Sequence, residues 1–238
     1  MTEGTASVAT SPAHEPVSAC TVGIVAVLDF DDGKVNAISR RTIAAVQMAL
    51  DRHVDAGAVV LCGRRGMFSA GLDLTEVRAD ATTQRALRNE FMRLMLRLFT
   101  SDVPVVVACT GHALAAGAAV LLAADRRIGV DGPYKIGFNE VAAGVALSNA
   151  AVELARYRLP MPAFESIVVG DVFTPTSAIA AGLLDELADD PRTTAIDAAT
   201  RLATLDRHAF AATKRAARHH AATVIAAALD RSEAHVEA

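Results

Sequence analysis

Cysteine is scarce in this chain, no apolar run is long enough to cross a bilayer, and neither charge sign dominates. Each of these absences removes a class of protein. The three cysteines, Cys20, Cys62 and Cys109, are an odd set without metal-ligand spacing, and the latter two fall inside apolar runs. That pattern predicts buried, reduced thiols in a cytoplasmic protein rather than a disulfide framework or a metal centre. The longest apolar stretch, near "ALAAGAAVLLAA", stops at Asp125, Arg126 and Arg127 and falls short of the ~20 residues that span a membrane. With 23 Lys+Arg against 27 Asp+Glu, the net charge of −4 gives no general affinity for nucleic acid. The N-terminus, "MTEGTASVATSPAHEPVS", has no basic start followed by an apolar run and so does not read as a secretion signal. Its Thr, Ser, Ala and Pro content predicts a disordered tail over residues 1–20.

What remains is 238 residues, enough for one good-sized domain with a full core. "GIVAVLDF" (Gly23–Phe30) reads as a strand ending in the turn Asp31-Asp32-Gly33. From Ser39 the period changes: Ile43, Val46, Leu50 and Val54 recur at helical spacing, with Ser39 as N-cap and Gly57 beyond the end. A buried strand (Ala58–Gly63), a loop "RRGMFSAGLDL", a helix through Leu87, Phe91, Leu94, Met95 and Leu98, a strand (Pro104–Gly111) and a small-residue helix (Ala113–Asp125) follow. This alternation predicts an α/β fold with parallel strands and helical crossovers. After Ser148 the strand signal fades, and from about Pro191 the sequence is Ala- and Arg-rich helix.

Two strand ends, at "VVLCG" and "VVVACTG", each enter a Gly/Ala-rich turn. Small residues there let backbone approach a ligand, and a helix start leaves N–H groups free to meet negative charge. Two such turns together form either tight packing or a pair of oxyanion donors. Downstream, Glu140 lies in "GPYKIGFNEVAAGVAL", either as a solvated turn residue or as a desolvated acid/base held in an apolar wall.

Three motifs decide between these readings. "FSAGLDLTE" (Phe68–Glu76), "PVVVACTGHALAAGAAVLLAADRRIG" (Pro104–Gly129) and "KIGFNEVAAGV" (Lys135–Val145) resemble the enoyl-CoA hydratase/isomerase (crotonase) superfamily in order and spacing. The resemblance runs from about Val22 to Arg218 and is closest, in motif, to 3-enoyl-CoA to 2-enoyl-CoA isomerases. It implies a spiral of ββα units over residues 21–190, a helical trimerisation region over 191–238, and assembly as a homotrimer or dimer of trimers.

It also implies roles. The amides of Leu72 and Ala116 would hold a thioester oxygen, and the carbonyl of Ala70 would contact an adenine amino group. Lys34, Arg64, Arg65 and Lys214 would reach the CoA moiety of the substrate, with Arg218 one turn beyond Lys214. No cofactor or metal is implied beyond the substrate's own CoA. Many relatives carry Gly where Ala116 stands, which matters only if that position needs positive φ. Hydratases of the superfamily use two glutamates, and here the first position is Ala119 and the second Glu140. One carboxylate is enough to move a proton from C2 to C4 but not to share the work of hydration, so the expected activity is isomerisation. Hydration of 2-enoyl-CoA and non-catalytic acyl-CoA binding are the alternatives. His112 and Asp73, beside the two turns, are expected to be structural, Asp73 through hydrogen bonds to loop backbone.

Overall fold

The structure is a computed structural model that describes residues 15–234. After β1 (Val17–Val22), four successive segments repeat one plan: a strand in a large sheet, a short strand outside it, and a helix. The first is β2 (Val25–Phe30), β3 (Ala37–Ile38) and α1 (Arg40–Arg52). The second is β4 (Ala58–Cys62), β5 (Gly66–Ser69), β6 (Gly71–Leu72), α2 (Leu74–Val77) and α3 (Ala81–Phe99). The third is β7 (Val105–Cys109), β8 (Gly111–Leu114) and α4 (Ala116–Ala123), and the fourth is β9 (Arg126–Gly129), β10 (Ile136–Gly137) and α5 (Asn149–Arg158). Then come α6 (Met161–Val168), β11 (Val172–Phe173), α7 (Pro175–Ala180), β12 (Glu186–Leu187), α8 (Pro191–Leu202) and α9 (Arg207–Ala234). The chain is therefore an α/β spiral of ββα units followed by helices.

The large sheet has the order β1-β2-β4-β7-β9-β12, with every pair parallel except β1 and β2. A second sheet runs β11-β10-β8-β5, and β3 pairs with β6. β4 and β7 are buried at every position, as expected for parallel strands covered on both faces. Alternate side chains serve two cores. Ala26, Leu28, Val59, Leu61, Val105 and Val107 join the main core with α1, α3, α4 and α5. Val25, Val27, Val60, Cys62 and Val106 pack on the other face against Ala195, Ala198 and Ala199 of α8.

Several boundaries differ from the sequence reading. Strand pairing starts at Val17, inside the segment assigned to a tail, because Val17 to Val22 form a hairpin with β2. Residues 1–14 of that tail lie outside the described residues. The "RRGMFSAGLDL" loop contains β5, β6 and the start of α2, elements too short for periodicity to register. The small-residue helix begins at Ala116 rather than Ala113, since Gly111–Leu114 pair with β5 and β10. Ser39 does cap α1, accepting from the Thr42 amide at 3.1 Å, but the helix ends at Arg52, before Val54. α8 starts at Pro191, where the C-terminal helical region was expected to begin, and packs on the large sheet. α9 packs on α3 and α5 of its own chain.

Candidate active site

Leu72 and Ala116 are delivered by adjoining turns. In β6, Gly71 and Leu72 pair with Ala37 and Ile38 of β3, and the Asp73 amide donates to the Ile38 carbonyl at 3.0 Å. Successive strand amides point to opposite edges, so the Leu72 N–H faces away from β3. On that side lies the start of α4. A Cβ on Gly71 (φ +110°) would sit 2.9 Å from the Ala115 Cβ and 3.5 Å from the Ala116 nitrogen, so the two turns are in direct contact and only glycine fits. Ala116 opens α4, where the first amides have no partner within the helix and the helix dipole is positive. Positive φ falls one residue earlier than the Ala-for-Gly question supposed: Ala115 has φ 52° and ψ −118°, while Ala116 is helical.

Glu140 arrives on the strand next door. β10 pairs with β8 in the register Gly137–Leu114, and the Ala115 amide donates to the Gly137 carbonyl at 3.0 Å. Three residues after Gly137, Glu140 starts a turn whose Ala143 and Val145 amides donate to its carbonyl at 2.9 and 2.8 Å. Its carboxylate Oε2 is buried without a hydrogen-bond partner among the described residues. Burial raises the pKa of this group above the ordinary carboxylate range, while the Glu140 and Asn139 amides pull it down. The apolar residues that follow, Val141 to Ala146, are exposed. The residues just before Glu140, Ile136 and Phe138, are each 1% exposed, so the buried side of this segment precedes the carboxylate.

The side chains around this group separate chemical from structural roles. Ala119, one turn after Ala116, is 2% exposed and offers only a methyl. Asp73 caps α2, accepting from the Thr75 and Glu76 amides at 2.7 and 3.2 Å. His112 accepts from the Lys135 amide through Nδ1 at 3.0 Å and stands edge-on to Tyr134. Both bonds hold backbone in place. The turns that carry Leu72 and Ala116 touch, and the strand paired beside them leads to the buried carboxylate of Glu140.

Comparison with known proteins gives the family of the chain. The family model "Enoyl-CoA hydratase/isomerase" matches residues 21–236. The chain belongs to the enoyl-CoA hydratase/isomerase family. It is 37% identical over 189 residues to a probable enoyl-CoA hydratase of Mycobacterium avium, covering 75% of this chain and 72% of that one. It is 30% identical to the mitochondrial enoyl-CoA delta isomerase 1 of Homo sapiens, covering 80% of this chain and 66% of that one. A solved enoyl-CoA isomerase of Mycobacterium tuberculosis superposes with a TM-score of 0.87 at 37% identity, covering 92% of this chain and 98% of the other. Relatives of this family member thus bear both hydratase and isomerase names.

The family's expected CoA contacts divide in two. Ala70, Lys34 and Arg65 are exposed; the Ala70 amide donates to the Val35 carbonyl at 3.0 Å and Arg64 donates to the Lys34 carbonyl, which ties the two ends of β5 to the turn between β2 and β3. Lys214 does not join them. It is 6% exposed, with its Nζ held by Asp125 at 2.7 Å, and burial pushes its pKa down to about 8. Arg218 is likewise buried, bonded to Asp125 at 2.6 Å and to the Phe99 carbonyl at 2.6 Å. The sequence shows a basic helix face, whereas the fold turns these two cations inward. Among the described residues, no group of three His, Cys, Asp or Glu side chains converges as a metal site.

Two residues escaped the sequence reading. Asn36, at φ 50° and 4% exposed, donates to the Phe30, Met67 and Phe68 carbonyls at 2.9–3.2 Å and so ties the turn between β2 and β3 to β5, the strand that leads into Leu72. Its signal was the "DDGKVNA" turn, in which Asp32 accepts from the Lys34, Asn36 and Ala37 amides. Asp125 is the hub for Lys214, Arg218 and the Val105 amide. Nothing local in the sequence marks it, since its partners lie up to 93 positions away.

Proposed function

We propose that the protein converts 3-enoyl-CoA to 2-enoyl-CoA thioesters. The observation that carries this reading is the single desolvated carboxylate of Glu140, with a bare buried Oε2 and a methyl at Ala119 where a second carboxylate would stand. The thioester oxygen accepts from the Leu72 and Ala116 amides. Glu140 removes a proton from C2, the charge spreads as a dienolate onto that oxygen, and the same carboxylate returns the proton at C4. No water enters and no redox step occurs, so one acid/base suffices. Preorganised donors at a helix N-terminus stabilise the oxyanion without reorganising at the moment of reaction.

On this reading the carbonyl of Ala70, an exposed residue, and the exposed Lys34 and Arg65 meet the CoA moiety, with Arg64 bracing the loop. We assign assembly as a trimer or dimer of trimers, and a cytoplasmic location, on family resemblance and on the reduced thiols of Cys62 and Cys109. Among the described residues no helix is long and apolar enough to cross a membrane.

The test is a panel of 3-enoyl- and 2-enoyl-CoA thioesters of several chain lengths, read by the absorbance of the conjugated thioester. Its growth from 3-enoyl-CoA, with slow loss from 2-enoyl-CoA, is the expected result. Fast hydration without comparable isomerisation would assign the chain as a hydratase, and tight binding without turnover as a binding protein.

A further inference from the structure

α4 poses a mechanical problem. All eight of its residues, Ala116 to Ala123, are small or apolar and buried, so its sides offer only non-directional contacts. No side chain caps its N-terminus, where the Ala116 donor sits. Its N-cap residue is held by a backbone bond, from the Ala115 amide to the Gly137 carbonyl at 3.0 Å, and the side-chain hydrogen bonds to its carbonyls lie at the opposite end, about 12 Å away along the axis. There the Arg158 Nε donates to the Leu122 carbonyl at 2.9 Å and the Arg158 Nη2 to the Ala124 carbonyl. Arg218 adds a longer bond to the Ala123 carbonyl at 3.4 Å and is itself held by Asp125.

We propose that Arg158 is a positioning residue for the Ala116 donor, gripping the C-terminal carbonyls of α4 so that its N-terminal amide stays aimed at the thioester oxygen. This rests on the oxyanion reading of Leu72 and Ala116 given above. The fork of one guanidinium spans two carbonyls a turn-end apart, which fixes both the axial position and the rotation of the helix. A cation there also complements the negative end of the dipole whose positive end meets the substrate. Because α4 packs against both α3 and α5, and α5 carries Arg158, the grip ties the donor helix to its neighbour. Burial and the nearby Arg218 and Arg127 lower the Arg158 pKa to about 10, which leaves it charged at neutral pH.

The test uses hexanoyl-CoA, a saturated thioester that binds without turnover, with its carbonyl labelled and its stretching frequency read by infrared difference spectroscopy. The wild-type protein should shift that band to lower frequency. Absence of a shift overturns the oxyanion reading and this inference with it. Arg158→Lys keeps the charge but not the fork, and Arg158→Met keeps neither. In folded variants the band should return toward its free position, and kcat for 3-enoyl-CoA should fall at least about tenfold with KM changed less than about threefold. Arg156→Lys, one turn-face away and exposed, should leave both readouts unchanged. If Arg158→Met does not fold, Arg158→Lys decides. A wild-type band and kcat in the folded Lys variant, whatever its melting temperature, would show that Arg158 only stabilises and would overturn the inference.

Discussion

Glu140→Gln separates the chemical role of this residue from its structural one, because the two predict opposite signs. Glutamine keeps the volume and can still accept from the Asn139 and Glu140 amides that face the carboxylate. It cannot take a proton at neutral pH. Loss of a general base costs roughly 10²–10⁴-fold, or about 3–5 kcal/mol of barrier. Affinity for a saturated acyl-CoA should stay within about tenfold, ~1.4 kcal/mol, since the backbone donors are untouched. Stability should move the other way. Glu140 has its folded pKa raised by burial, so the native state holds its proton more tightly than the unfolded chain, and stability falls as pH rises between the two values. Above the folded pKa that penalty is fully present, and Gln removes it, so the melting temperature measured there should rise. In the parent enzyme kcat/KM should fall as the pH drops through the Glu140 pKa, at a higher pH than an ordinary carboxylate would give, and that acid limb should vanish from the residual activity of the mutant. Steady-state rates across pH, with melting curves above that pKa, check all of this. A mutant that keeps activity within tenfold of the parent, or retains the same acid limb, would refute the assignment of the base.

Three further substitutions probe the scaffold. Asp125→Asn leaves Lys214 and Arg218, 4% and 6% exposed at the side chain, without their counter-charge. It should cost about 3–5 kcal/mol and lower the melting temperature by on the order of 10 °C, measured by calorimetry. Ala115→Gly relieves a side chain held at φ 52° and ψ −118°. After the entropy that glycine adds to the unfolded chain, it should stabilise by about 1 kcal/mol, seen as a melting point ~2–4 °C higher. Ala119→Glu restores a second carboxylate beside the site, and hydration of 2-enoyl-CoA should rise above the parent level in the same spectrophotometric assay. Because position 119 is packed, this variant should also lose roughly 1–3 kcal/mol of stability.

How much of this was legible in the sequence depended on the reach of each signal. Long elements announced themselves: α1 through Ile43 and Val46 at helical spacing, and β4 and β7 as continuous Val-rich runs buried on both faces. β3, β6 and β10, each two residues long, left no periodic trace, although β6 and β10 aim Leu72 and lead to Glu140. Those positions were reached through the resemblance of whole motifs, not through local pattern. The N-terminal tail was overextended because "VSACTV" reads as small and polar, while its strand character comes from pairing with β2.

The inward turn of Lys214 has a physical cause that a sequence does not display. A sequence shows which residues are charged or apolar, but whether a charge is solvated depends on what the fold puts opposite it. Lys214 and Arg218, four positions apart on a 28-residue helix, look like a basic face for phosphates, yet Asp125, at the end of α4, turns them into a buried latch. α4 carries a proposed donor at its first residue, a methyl in place of an acid at its fourth, and the carbonyls that the cations grip at its last turn. An eight-residue apolar helix has no polar side chain with which to do any of this, so its function rests on backbone groups at its two ends. That is why substitutions at Arg158 and Asp125, remote from the substrate, are expected to matter more than changes to most exposed residues nearer the site.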